Sequence, residues 1–286
     1  MPYVDTSPAG STFDTVRILV TNDDGIESEG LHVLASAMTA HGDVVVVAPD
    51  SEYSGAGAAI GPLHLMDPQV HKVRFEGVAD AWTVSGAPAL CVMFARLGAF
   101  GPVDLVVSGI NPGANVGRSV YHSGTVGAVL TGRNGNIPGL AVSQTVEGFG
   151  VEGQGWEDAI ADQKWHAAAG VASAVLGGLL ADEHESAWAV NLNVPNREVA
   201  DMKGWRFTEV GTLPPRSITS VHLEAHPDNA DAFRVAMEWG DAVDMPAEVD
   251  TGAVMGDFVS VSFLSRLTAL PTTGDSKLAA CLDGLF

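Results

Sequence analysis

Residues 17–31, RILVTNDDGIESEGL, restrict the fold of this chain more than any other stretch. An apolar run at Ile18, Leu19 and Val20 enters the polar tetrad Asn22-Asp23-Asp24-Gly25. Leu31, Leu34, Ala35 and Met38 then recur at the i, i+3, i+4, i+7 spacing of a helix face. The pattern reads as strand, tight loop, helix. In an open α/β sheet the loop leaving a strand's carboxyl end is where ligands sit. Two adjacent carboxylates there repel each other unless a positive group lies beside them, and a divalent cation, which prefers oxygen ligands, meets that need. Asp and Asn also cap helices, and Asp-Gly is a common turn. A cap uses one side chain, however, and this loop offers three oxygen-bearing ones in a row ahead of a glycine.

The same punctuation recurs along the chain. Val44 to Val47 form a buried strand stopped by Pro49, and the Ser- and Gly-rich loop SEYSGAGAAIG that follows leaves two readings: a plain flexible surface loop, or one that brings the Ser54 hydroxyl to the same edge as Asp23. Trp82 to Ser85 reads as a short strand, and Pro88 opens a helix with an apolar stripe at Leu90, Met93, Phe94 and Leu97. The strand Asp104–Val107 delivers a second dense stretch, SGINPGANVGRSVYHSGTVGAVLTG, which carries Asn111, Asn115, Ser123 and Thr125. Val126, Val129 and Leu130 predict a helix from Thr125 onward, so Ser123, Gly124 and Thr125 occupy its N-terminus. Such an end caps itself with a hydroxyl, and it also presents unpaired N–H groups to an anion. His122, immediately before it, is the histidine best placed to act as an acid or base. Strands at Gly139–Ser143 and Ala187–Val194, with a helix at Trp165–Leu180 between them, complete the alternation of one α/β domain.

Beyond residue 200 the alternation stops. WRFTEVG, SVHLEAH and FRVAMEWG are strand-like segments parted by Pro, Asn and Asp, which predicts a β-hairpin arm over about 200–257 of the kind that builds oligomers. Residues 1–14 read as a flexible tail ahead of a single domain at 15–286. The tail lacks the positive charge and apolar stretch of a secretory signal, and no run of eighteen apolar residues occurs, so a cytoplasmic protein is expected. With 35 acidic against 14 basic residues the formal charge is −21, a field that repels phosphodiester polymers. Neither a G-x-G-x-x-G after a strand nor a G-K-[ST] loop is present. Cys91 and Cys281 stand in no metal-ligand spacing and read as small buried apolar residues.

ILVTNDDGI at 18–26, VVAPDSEYSG at 46–55, VVSGINPGANVG at 106–117, SGTVGA at 123–128, LNVP at 192–195 and DTGAVMGDFVSVSFL at 250–264 follow one another in an order that resembles the SurE (survival protein E) family of metal-dependent 5′/3′-nucleotidases. The resemblance implies a doubly wound, Rossmann-like, mostly parallel sheet with a C-terminal hairpin arm exchanged between subunits of a homodimer or homotetramer. It implies one divalent ion per subunit, Mg²⁺ or Mn²⁺, held by Asp23, Asp24, Ser54 and Asn111. It further implies a substrate phosphate held by Asn111, Ser123, Gly124 and Thr125, with Asp23 as the catalytic carboxylate. The reaction expected is hydrolysis of nucleoside 5′- and 3′-monophosphates.

This chain departs from the family pattern at Ser51–Tyr53, at Ala87–Leu90, and at His122, where Tyr is common. Those changes keep two other readings open: a nucleotide- or metal-binding regulator without turnover, and a phosphatase for another phosphorylated small molecule or short polyphosphate.

Overall fold

A computed structural model of the chain describes residues 16–147, 156–213, 218–241, 243–271, 277–283 and 285. The expected N-terminal tail and most of the glycine-rich linker at 146–155 lie outside the described residues. The first half runs β1 (Arg17–Thr21), α1 (Glu29–Met38), β2 (Asp43–Pro49), β3 (Val70–Lys72), β4 (Asp80–Val84), α2 (Pro88–Arg96), β5 (Leu105–Pro112) and α3 (Gly124–Asn134). Then come β6 (Gly139–Gln144), α4 (Trp156–Ile160), α5 (Trp165–Ala181), β7 (Ala189–Val194) and β8 (Trp205–Phe207). The chain closes with β9 (Ile218–His226), β10 (Asn229–Trp239), α6 (Asp250–Met255), β11 (Val259–Phe263) and α7 (Lys277–Asp283).

Nine strands form one sheet in the order β3-β4-β2-β1-β5-β6-β7-β11-β8. The six from β4 to β7 are mutually parallel, while β3 and β11 are antiparallel to their inner neighbours. Counted along the chain, those six parallel strands lie third, second, first, fourth, fifth, sixth across the sheet, which is the doubly wound order. The direction of winding reverses between β1 and β5, and a crevice opens outside the carboxyl ends of strands at such a point.

Alternate residues of each strand feed two apolar layers. Ile18, Val20, Val44, Val46, Val107 and Val142 pack on Leu31, Leu34 and Met38 of α1 and on Ala168, Ala172 and Leu176 of α5. On the other face Leu19, Val45, Val47, Val106 and Ala141 pack on Leu90 and Cys91 of α2 and on Val126 and Val129 of α3. Leu31, Leu34, Ala35 and Met38 are all buried, as their spacing predicts. No described helix is long and apolar enough to cross a membrane.

Within the span 200–257 the structure divides the elements between body and arm. Among the described residues β9 and β10 pair only with each other, as an antiparallel hairpin. β8 joins the main sheet through β11, and α6 packs on β11 and β7. The three strand-like segments look alike in sequence, but only β8 finds a free sheet edge. Cys91 is buried, as expected; Cys281, expected to be buried, is exposed on α7, as are Leu278 and Leu282.

Candidate active site

The carboxyl ends of β1 and β5 flank the reversal, and the structure brings Asp23 of the first into contact with Thr125 and Gly124 at the start of α3; Asn111 lies at the end of β5 and Ser54 on the loop after β2. β1 ends at Thr21, and the chain turns through Asn22, Asp23 and Asp24 to Gly25, whose φ of +96° lies in the left-handed region that glycine adopts at little cost. Asn22 Nδ2 donates to the Gly25 carbonyl at 2.9 Å and closes the turn. Ser28 then caps α1, accepting from the Leu31 N–H at 3.4 Å. Asn22, Asp23 and Gly25 are therefore fixed by backbone geometry before any ligand binds.

Asp23 is 3% exposed. Its Oδ1 accepts a hydrogen bond from Thr125 Oγ1 at 2.5 Å, and its carbonyl accepts from the Tyr53 N–H at 2.7 Å. Burial raises the Asp23 pKa, partly opposed by the Thr125 hydroxyl and by nearby backbone N–H groups, including those of Thr125 and Gly124. Asp24 is pushed up to about 8, first by burial and then by the charges of Asp23 and Glu52. Its Oδ2 is buried with no hydrogen-bond partner, as is Asn22 Oδ1 two residues earlier. Buried acceptors without a donor are costly unless a cation satisfies them.

α3 approaches from the other strand of the reversal. Ser123 is its N-cap and accepts from the Val126 N–H at 3.1 Å, so the cap and the candidate phosphate ligand are one side chain. Gly124 lies so close to Asp23 that a Cβ there would sit 2.7 Å from Asp23 Oδ2. Only glycine lets the positive end of the helix dipole reach that carboxylate.

Asn111 stands at the end of β5, just past a slip in register with β6 between Ser108 and Asn111. It is half-buried, and its Nδ2 donates to the Gly113 carbonyl at 2.6 Å. That bond engages the amide nitrogen, and among the described residues the amide oxygen accepts no hydrogen bond. Ser54 is exposed on the loop tied to the site by the Tyr53–Asp23 bond and by the Gly57 N–H donating to the His122 carbonyl at 3.0 Å. The His122 side chain is exposed at the rim.

Behind these residues lies a network that periodicity alone did not single out. The Asn115 N–H donates to Asn193 Oδ1 at 2.8 Å, and Asn115 Nδ2 donates to Ser143 Oγ at 2.8 Å. The Asn115 carbonyl accepts from Asn191 Nδ2 and Asn193 Nδ2 at 2.8 and 3.1 Å. It clamps the loop after Asn111 to β6 and β7. The available signal was Asn191 and Asn193 at i, i+2 in an otherwise apolar strand, a polar pair on one buried face. Asp250 was missed in the same way. It is fully buried and accepts from the N–H groups of Gly117, Gly211 and Thr251 at 2.8, 3.0 and 2.7 Å.

Among the described residues no group of three His, Cys, Asp or Glu side chains is gathered as a metal cluster. The candidate ligands nominated by the sequence, Asp23, Asp24, Asn111 and Ser54, are two carboxylates, an amide and a hydroxyl. All are hard oxygen ligands, and together with the orphaned Asp24 Oδ2 they fit a hard divalent cation such as Mg²⁺ or Mn²⁺ and not a soft one.

Known proteins resemble this chain over most of its length. The family model described as Survival protein SurE matches residues 18–215. A Legionella pneumophila protein named 5′-nucleotidase SurE is 36% identical over 197 residues, which are 69% of this chain and 71% of its own. A Salmonella arizonae protein named 5′/3′-nucleotidase SurE is 34% identical over 248 residues, covering 86% of this chain and 89% of its own. The crystal structure of the SurE protein from Aquifex aeolicus matches with a TM-score of 0.71 and 28% identity, over 94% of this chain and 99% of that one. With the family model, the identity to relatives and the structural coverage in agreement, the chain belongs to the Survival protein SurE family.

Proposed function

We propose that this chain is a metal-dependent phosphomonoesterase that hydrolyses nucleoside 5′-monophosphates, and 3′-monophosphates as well, to nucleoside and inorganic phosphate. The names of its relatives support the reaction and the substrate class. The observation that carries the site is the buried Asp23 carboxylate, held by Thr125 beside an Asp24 oxygen that has no donor.

Asp23, Asp24, Ser54 and Asn111 would hold one Mg²⁺ or Mn²⁺ per subunit. When bound, such an ion supplies Lewis-acid polarisation of the phosphoryl oxygens and offsets their charge. Ser123, Gly124 and Thr125, at the positive end of α3, together with Asn111, bind and orient the phosphate. Asp23 Oδ1 is engaged by Thr125, so Oδ2 is the atom that orients the attacking water and takes its proton. His122, exposed at the rim, delivers a proton to the leaving oxygen. The β9–β10 hairpin, with Val221, Leu223, Phe233, Val235 and Trp239 exposed, supports assembly into a homodimer or homotetramer.

Phosphate release from a panel of nucleoside monophosphates, measured with Mg²⁺, Mn²⁺ or excess chelator, tests the reading. Metal-dependent release is expected; tight nucleotide binding without release under any of these conditions contradicts it.

A further inference from the structure

A second cluster of positive charge sits at the other end of α3. Arg133, in its last turn, is 6% exposed, and its two terminal nitrogens donate to the carbonyls of Leu264 and Ser265. Its Nε is buried without a partner. Arg266 lines the same cavity, and among the described residues neither arginine forms an ion pair. Two carbonyl dipoles do not neutralise a buried guanidinium, and a second cation beside it adds to the cost. Burial first, and then the Arg266 charge, holds the Arg133 pKa below its ordinary value. In a chain of net charge −21, a pair of arginines without a carboxylate partner among the described residues is a site short of an anion.

The cavity in question is open, about 320 Å³, and walled by Arg133, Arg266, His184, Trp188 and Phe263, with the exposed Glu185 as its one acidic lining residue. Its volume lies within the roughly 300–1,000 Å³ of small-molecule sites. His184 Nε2 is bonded to the Leu179 carbonyl at 3.0 Å, and its ring meets Trp188 at 5.8 Å between centroids. Phe263 is half exposed, so an aromatic face stands beside the guanidinium groups. Arg133 lies eight residues along α3 from Thr125, about 12 Å at the helical rise, and the Asp23 crevice is at the opposite end of the strands.

We propose that this cavity is a second binding site, separate from the Asp23 crevice, for a phosphoryl dianion carried by a small molecule. The two arginines take the phosphoryl oxygens, as guanidinium forks do. Trp188 and Phe263 take a ring where one is attached. The dianion has two sources in the proposed reaction, the nucleoside monophosphate and free phosphate. Binding here needs no metal and does not depend on hydrolysis at Asp23.

Isothermal titration in excess chelator, with adenosine monophosphate and separately with inorganic phosphate, tests the site on the wild-type protein and on Arg266→Gln. The variant alters a surface residue remote from the crevice, so an unchanged rate of phosphate release confirms that it is folded. Binding to the wild-type protein that weakens at least tenfold in Arg266→Gln is expected. Tighter binding of the nucleotide identifies it as the occupant, and equal binding identifies the free anion. Absence of binding in chelator, or binding that Arg266→Gln leaves unchanged, overturns the proposal. Failure of the wild-type protein to release phosphate would sink the hydrolysis reading alone.

Discussion

Thr125 Oγ1 donates to Asp23 Oδ1 at 2.5 Å across 102 residues of chain, joining the loop after β1 to the first turn of α3. That bond sets which Asp23 oxygen faces the crevice. Replacing Thr125 with Val keeps the shape and removes the donor. It should cost about 1–3 kcal/mol of stability, because a buried acceptor loses its partner, and about 10- to 100-fold in metal affinity or turnover, the usual loss when a group orienting a ligand is removed. Thr125→Ser should restore most of both. Mn²⁺ titration and phosphate release read the outcome; a Val variant with unchanged affinity and rate contradicts the role.

The close packing of Gly124 on Asp23 gives a second expectation. A methyl group at 124 would press on Asp23 Cβ and Oδ2, both 2.7 Å away, so Gly124→Ala must displace the carboxylate or the helix end. Turnover should fall by about a hundredfold, in line with a displacement on the order of 1 Å at a reacting centre. Full activity in Gly124→Ala would mean that Asp23 need not stay where it is.

Asp24 links metal binding to pH. Its folded-state pKa of about 8 stands above the ordinary 3.8, so the stability it contributes is complete below about pH 4 and is lost as the pH rises through about 8. Metal-free protein should therefore show a falling Tm from about pH 5 to 8, and added Mg²⁺ or Mn²⁺ should recover it most at the upper end. Binding must also expel a proton below about pH 8. The titration heat at about pH 6.5 should then vary with the buffer's ionisation enthalpy, and a heat independent of buffer there contradicts the linkage.

Asp250 ties the arm to the site. Its carboxylate holds Gly117, next to the crevice loop, and Gly211, just ahead of the hairpin. Asp250→Asn puts an amide donor where N–H groups already point and should cost about 2–3 kcal/mol, as for a lost hydrogen bond to a buried charge. It should also lower turnover by loosening the loop at Gly117. A Tm equal to that of the wild-type protein would show the clasp to be dispensable.

The hairpin predicts assembly. A two-stranded ribbon is marginal alone in water, and β9–β10 exposes Val221, Leu223, Phe233, Val235, Met237 and Trp239 along its length. By light scattering the full chain should run as a dimer or tetramer, and a variant with residues 218–239 replaced by a short Gly-Ser turn should run as a monomer. An unchanged mass would place the subunit contact elsewhere.

The sequence displays the β1–α1 unit because its two periodicities change over at one polar tetrad, and the site loops because acidic, amide and hydroxyl residues crowd at strand ends. Long-range pairings were not legible. Nothing near Asp23 announces Thr125, and the cap made by Ser123 looks the same whether or not a phosphate sits above it. The Asn115–Asn191–Asn193–Ser143 clamp joins three segments whose amides carry no shared period. β8 reads like β9 and β10, and only the edge offered by β11 separates them.

The central claim is that Asp23, Asp24, Ser54 and Asn111 share one cation at the reversal between β1 and β5. Crystals grown with Mn²⁺ and measured at its absorption edge test it most directly. One strong anomalous peak per subunit is expected, about 2.0–2.4 Å from oxygens of Asp23, Asp24, Ser54 and Asn111. A peak bound elsewhere, or an Asp23–Asp24 pair that stays free of metal at saturating Mn²⁺, would contradict it.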